Sequence, residues 1–156
     1  MAEDRKERVD REPLELLNEI RVVLPGAQVL FAFPLSLPFL ARFDLLTRVD
    51  RDANYAAYFA AFLCTAVGTV LLMAPSANHR LRLRERDKER MLFWFNRLAL
   101  AGSAFLAAAI ALVAFVVAAM LFDETWAAVV AGLMACWIVV VWYVVPLWQR
   151  VGSPEE

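Results

Sequence analysis

Four stretches of this sequence contain no acidic or basic side chain: residues 22–41, 53–78, 98–122 and 125–149, which hold 20, 26, 25 and 25 residues. A helix needs about 20 apolar residues to cross a bilayer's hydrocarbon core, so each stretch is long enough to do so. None alternates apolar with polar residues, which argues against a transmembrane β-barrel. The first 21 residues lack an apolar segment and carry both signs of charge. They do not read as a signal peptide, and the first span is expected to stay in place as a membrane anchor.

Chemistry-bearing residues are equally scarce. His79 is the only histidine, so the chain by itself supplies neither bis-histidine haem ligation nor a histidine-rich metal site. The two cysteines, Cys64 and Cys136, form no C-x-x-C pair. A redox pair is therefore a weaker reading than two small packing residues. There is no G-x-S-x-G, no Walker loop and no H-E-x-x-H, and no carboxylate lies inside any charge-free stretch. These absences argue against hydrolytic and phosphate-handling sites, and against proton-coupled transport through an intramembrane ionisable group. The sequence points to no enzyme, no cofactor and no bound metal.

What is present is apolar. The 156 residues are 62% hydrophobic with a mean hydropathy of +0.55, too apolar for a soluble domain of that size. In lipid, helices satisfy their own backbone hydrogen bonds. The expected fold is therefore an all-α integral membrane four-helix bundle preceded by an N-terminal amphipathic interfacial helix. It is a single membrane domain: a cytoplasmic segment over 1–24, spans at about 26–41, 54–74, 97–122 and 126–148, and a tail over 149–156.

The 16 Lys and Arg nearly balance the 17 Asp and Glu, so it is their distribution that informs. Five basic residues precede the first span, three lie in the first loop, seven in the second (Arg80, Arg82, Arg84, Arg86, Lys88, Arg90 and Arg97), none in the third, and Arg150 stands in the tail. Thirteen then fall on one side and three on the other, which places the N-terminus, the second loop and the C-terminus in the cytoplasm. The expected location is the bacterial plasma membrane. Arg80, Arg82, Arg84 and Arg86 are candidate contacts for anionic lipid head groups. Glu85, Asp87 and Glu89 dilute that run, and without a nucleic-acid motif no nucleic-acid partner is expected.

Within the first 24 residues Leu16, Leu17, Ile20, Val23 and Leu24 recur at helical spacing, which reads as an amphipathic helix in the cytoplasmic interface. Leu24-Pro25-Gly26 predicts a bend into the membrane, a straight but kinked entry being the plainer alternative. Pro34 and Pro38 predict an irregular first span. The second span is expected to be capped near Asp50-Arg51-Asp52-Ala53-Asn54 and to end near Ala74, before Pro75. Asp123-Glu124-Thr125 is a connection short enough to make the last two spans an antiparallel hairpin.

Two sets of residues are candidates for function. Gln28, Ser36, Thr65, Thr69 and Ser103 are polar at membrane depth and could line a path, although hydroxyls commonly bond back to their own helix. Ala57, Ala61, Cys64 and Gly68 form a smooth stripe in the second span. Ala101, Ala104, Ala108 and Ala111 do so in the third, and Ala128, Gly132 and Ala135 in the fourth. Small residues at such spacing let membrane helices approach closely. His79, beside Arg80, is a candidate pH sensor or an interfacial hydrogen-bonding residue.

Leu17-Asn18-Glu19-Ile20-Arg21-Val22, then Pro25-Gly26-Ala27-Gln28 and Phe31-Ala32-Phe33, are similar to the opening of an uncharacterised family of small four-helix actinobacterial membrane proteins. Pro38-Phe39, Asp50-Arg51, Ala74-Pro75 and His79-Arg80 resemble its later landmarks. The resemblance covers about residues 14–122. Pro34 departs from the family's pattern, which argues against an unbroken first helix. The family is a domain of unknown function, so the resemblance implies a topology and no activity. The expected function is that of a non-enzymatic, homo-oligomeric membrane protein forming a permeation pathway. The alternative is a structural or accessory subunit docking onto a larger membrane complex or anionic lipid.

Overall fold

A computed structural model of the protein describes residues 2–40, 51–81 and 88–152, with side chains at 18–40, 52–77 and 93–149. Among the described residues all regular structure is helical. Helix α1 runs Ala2–Ser36 and is followed by a 3-10 turn, Leu37–Phe39; α2 covers Arg51–Leu81 and α3 Lys88–Leu121. Helix α4 covers Glu124–Val139, a π turn follows at Val140–Val144, and α5 covers Val145–Gly152. Four helical stretches are long and apolar enough to cross a membrane: Asn18–Phe39, Asp52–Ala77, Phe93–Leu121 and Glu124–Gln149.

The prolines act differently from expectation. Helix α1 passes Pro25-Gly26 without a break, so the expected bend is absent and the described residues before Pro25 are continuous with the first span. The reason lies on the opposite face. Ala27 is buried with Leu72 and Leu106, and Leu24 and Leu30 pack against that cluster, so contacts on both sides of Pro25 hold the helix in line. Pro25 and Gly26 themselves are exposed. Pro34 is fully buried and also lies within α1, so the expected interruption there is absent. The irregularity falls at Pro38, in the 3-10 turn, where Leu40 N–H donates to the Leu37 carbonyl and Leu40 is extended. Pro34 and Pro38 stand four residues apart, so the second removes the donor that would have bonded the first's carbonyl. In α2 the helix does not end near Ala74: it continues through a fully buried Pro75 to Leu81. One missing hydrogen bond costs less there than unwinding an apolar helix.

The residues gather into two compact units, Met1–Leu35 with Leu63–Leu106, and Ser36–Phe62 with Ala107–Glu156. The first is built around Ala27, Leu72 and Leu106 and around an approach of α2 to α3 at two glycines. A methyl group placed on Gly68 would stand 3.1 Å from the Gly102 carbonyl oxygen. One placed on Gly102 would stand 3.1 Å from that of Gly68 and 2.9 Å from Leu72 Cγ. In the second unit Leu37 and Val116 are buried together, with Ala57, Tyr58, Phe115 and Met120 packed against them.

Two residues separate α3 from α4, so the two make an antiparallel hairpin. Asp123 caps α4, accepting from Trp126 N–H at 3.0 Å. The π turn near the end of the last span has a local cause. Pro146 has no N–H for the Trp142 carbonyl, and its ring would crowd that carbonyl in a regular helix. The wider turn, in which Val145 N–H donates to the Val140 carbonyl five residues back, makes room for it.

The glycine approach sets a test of the fold. Gly68→Leu and Gly102→Leu should each lower the stability of the purified protein by about 1–3 kcal/mol, because overpacking forces backbone and side chains apart. Gly132→Leu should leave it nearly unchanged, since among the described residues nothing lies within 4 Å of a methyl group placed there. Reversible unfolding in mixed micelles of denaturing and non-denaturing detergent measures all three.

Candidate functional site

The inward faces of the helices share a single spacing. On α1 it runs Ile20, Leu24, Ala27, Phe31, Pro34; on α2, Asn54, Tyr58, Ala61, Thr65, Gly68, Leu72, Pro75; on α3, Phe95, Ala99, Gly102, Leu106, Ala109, Val113, Val116. Each residue in these rows is buried or half-buried. Steps of three and four residues alternate along each row.

Polar side chains on these rows are the first candidates for a site. Thr65 has no accessible surface, so it lines no opening within the chain. One turn further, Thr69 is half-buried and its hydroxyl donates to the Thr65 carbonyl at 2.7 Å. Ser103 does the same to the Leu100 carbonyl at 2.9 Å. In both cases the hydroxyl serves its own helix, the plainer of the two readings of such residues. Gln28 and Ser36 are exposed. The five candidates for a polar path therefore do not converge on one surface: Thr65 and Thr69 adjoin inside, while Gln28 and Ser36 face outward.

The residues of the small-residue stripes fall partly on buried and partly on exposed positions. Ala61 and Gly68 are buried, while Ala57 and Cys64 are half-buried on the flank of the same face. On α3 the inward glycine is Gly102, and Ala101, Ala104 and Ala108 face outward. On α4 the inward row is Glu124, Ala127, Ala131, Ala135 and Ile138. Ala128 and Gly132 are exposed, and among the described residues nothing lies within 4 Å of a methyl group placed on Gly132. His79 and Arg80 fall in the last turn of α2, but their side chains lie outside the described residues, as do Arg82, Arg84 and Arg86 altogether.

Three features had weak signals in the sequence. Asn54, expected as a cap, lies inside α2 and is buried and engaged; the spacing that links it to Ala61 and Thr65 was its only mark. Glu124 has one carboxylate oxygen buried without a hydrogen-bond partner among the described residues. It stands in the first turn of α4, where the helix dipole favours negative charge. Near the start of α3 the Arg97 guanidinium lies 4.5 Å from the centre of the Phe93 ring, a cation–π contact one helical turn long.

None of these arrangements pairs a nucleophile with a base. Cys64 and Cys136 are free thiols, and among the described residues no three His, Cys, Asp or Glu side chains are grouped to hold a metal. The chain belongs to DUF6328, a family of unknown function whose model matches residues 2–146. That match reaches past both ends of the 14–122 stretch that carried the resemblance. No curated protein and no solved structure matches the chain.

Burial separates the two threonines experimentally. Thr65→Leu should destabilise the protein by about 1–3 kcal/mol through overpacking. Thr69→Val, which loses only a bond to its own helix, should cost less than about 1 kcal/mol. Detergent unfolding of the two variants decides the ordering.

Proposed function

We propose that this chain is a non-enzymatic, four-span integral protein of the bacterial plasma membrane, with both termini in the cytoplasm. We propose further that it assembles with copies of itself and forms a permeation pathway between subunits. The observation that carries the reading is an inverted distribution of polarity. Among the described residues, large apolar side chains stand outward along the helices, including Val29, Val70, Leu133 and Trp137. Asn54 and Thr65 are polar and buried. Water would expel such a surface, whereas lipid solvates it. The balance of basic residues, thirteen against three, supports the orientation. A helical rather than barrel architecture supports the plasma membrane over a bacterial outer membrane.

Because Thr65 is buried and Thr69 and Ser103 bond their own helices, these three line no path among the described residues, which favours a pathway at surfaces between copies. A second reading, an accessory subunit for a larger membrane complex, draws support from the outward small residues Ala128 and Gly132 on α4, where another helix can approach closely.

Purified protein in liposomes separates the two. The channel reading predicts ion flux above empty liposomes, tuned by membrane tension or pH, from particles that hold more than one copy. It also predicts that tags at both termini are protected in cells until the plasma membrane is opened. Absence of flux under every condition, together with a stoichiometric foreign partner recovered from native membrane, transfers the assignment to the accessory reading.

A further inference from the structure

Gln28 is a polar side chain in an exceptional position. It lies on α1 within the apolar stretch Asn18–Phe39 and is exposed. Among the described residues it has no hydrogen-bond partner. The charge-free part of that stretch begins at Val22, so at about 1.5 Å per residue Gln28 is about 9 Å inside its edge. Side chains on a helix lean toward its N-terminus, which here is the nearer edge, yet a carboxamide on two methylenes does not reach that far. On the reading that α1 spans the bilayer, the amide therefore faces hydrocarbon, which offers it nothing to bond.

We propose that a second copy of this chain docks along α1 at Pro25, Gln28, Ala32 and Leu35, with the two Gln28 carboxamides hydrogen-bonded to each other. Two observations single out a second copy as the occupant. A carboxamide carries both a donor and an acceptor, so an identical group across a twofold axis satisfies both needs of each, and a C2 contact brings like residues together. The residues around it also form a seam. Pro25, Gln28, Ala32 and Leu35 are all exposed and alternate by steps of three and four, the register of a left-handed helix pair. Ala32 is small enough for the helices to close on Gln28. The face of α1 that carries Leu24 and Ala27 is already packed inside the first unit, so the two faces have separate tasks.

This proposal rests on the membrane-spanning, self-associating reading above, and the test separates their failures. In liposomes, labelled protein with Cys64→Ala and Cys136→Ala is diluted in lipid and its copies are counted by single-molecule photobleaching. Gln28→Leu should weaken association about three- to thirtyfold, and Gln28→Asn should recover part of the loss. Oxidation should cross-link Ala32→Cys pairs, which stand on the seam, in preference to Val29→Cys pairs, which stand off it. An unchanged dimer population in Gln28→Leu overturns this interface whatever the cross-links show, and leaves self-association intact. A wild-type protein that is monomeric at every dilution overturns both.

Discussion

At Gly68 and Gly102 the backbone of α2 meets that of α3, each glycine presenting its carbonyl oxygen where the other's side chain would stand. Much of the first unit follows from that contact. Because no side chain separates the two helices, Leu72 lies over Gly102 and Leu106 over Gly68, and the pair forms the floor on which Ala27 of α1 is buried. On the membrane-spanning reading the hydrophobic effect does little to join one helix to another, and the association then depends on dispersion contacts and close fit. Small residues at one crossing then permit larger ones to interlock on either side of it.

The position of the apolar helices is plain from the sequence because charge is excluded from them so completely. The short connection at Asp123 is equally plain, whereas the cap that Asp123 makes on α4 comes from the structure. Which face of each helix turns inward is another matter. In a soluble helix the polar face marks the outside, whereas here both faces are apolar and periodicity in hydropathy carries little information. Choosing the smallest side chains as the mark of contact identifies Ala61 and Gly68. It fails on α3, where the inward row mixes Gly102 with Phe95, Leu106 and Val116, and the alanines at 101, 104 and 108 face out.

Prolines mislead for a related reason. Pro25, Pro34 and Pro75 read as breaks under rules learned in water, where a freed carbonyl finds solvent and an unwound turn is cheap. In an apolar setting an unwound turn exposes several backbone groups, so the helix tolerates one lost bond and stays whole. At the end of the last apolar stretch, Pro146 is accommodated by widening a single turn. The residue was visible in the sequence, but the choice between a break, a kink and a π turn depends on backbone geometry that spacing alone does not encode.

The candidate site shows the same division. The hydroxyls of Thr69 and Ser103 bond their own helices, and Thr65 is buried. Gln28 and Ser36 differ in facing out. On the reading proposed above, such a chain acts through its surfaces, lipid against most of them and other helices against a few. Membership of a family of unknown function leaves that reading to experiment.

The most direct test of the account is the depth of Trp137, which is 66% exposed and lies at the centre of the apolar stretch Glu124–Gln149. A variant keeping this tryptophan alone, reconstituted in bilayers of lipids brominated at graded positions along the acyl chain, reports that depth by fluorescence quenching. The account predicts the strongest quenching from bromines near the chain ends, at the bilayer centre. Strongest quenching near the head groups, or none at any depth, contradicts it.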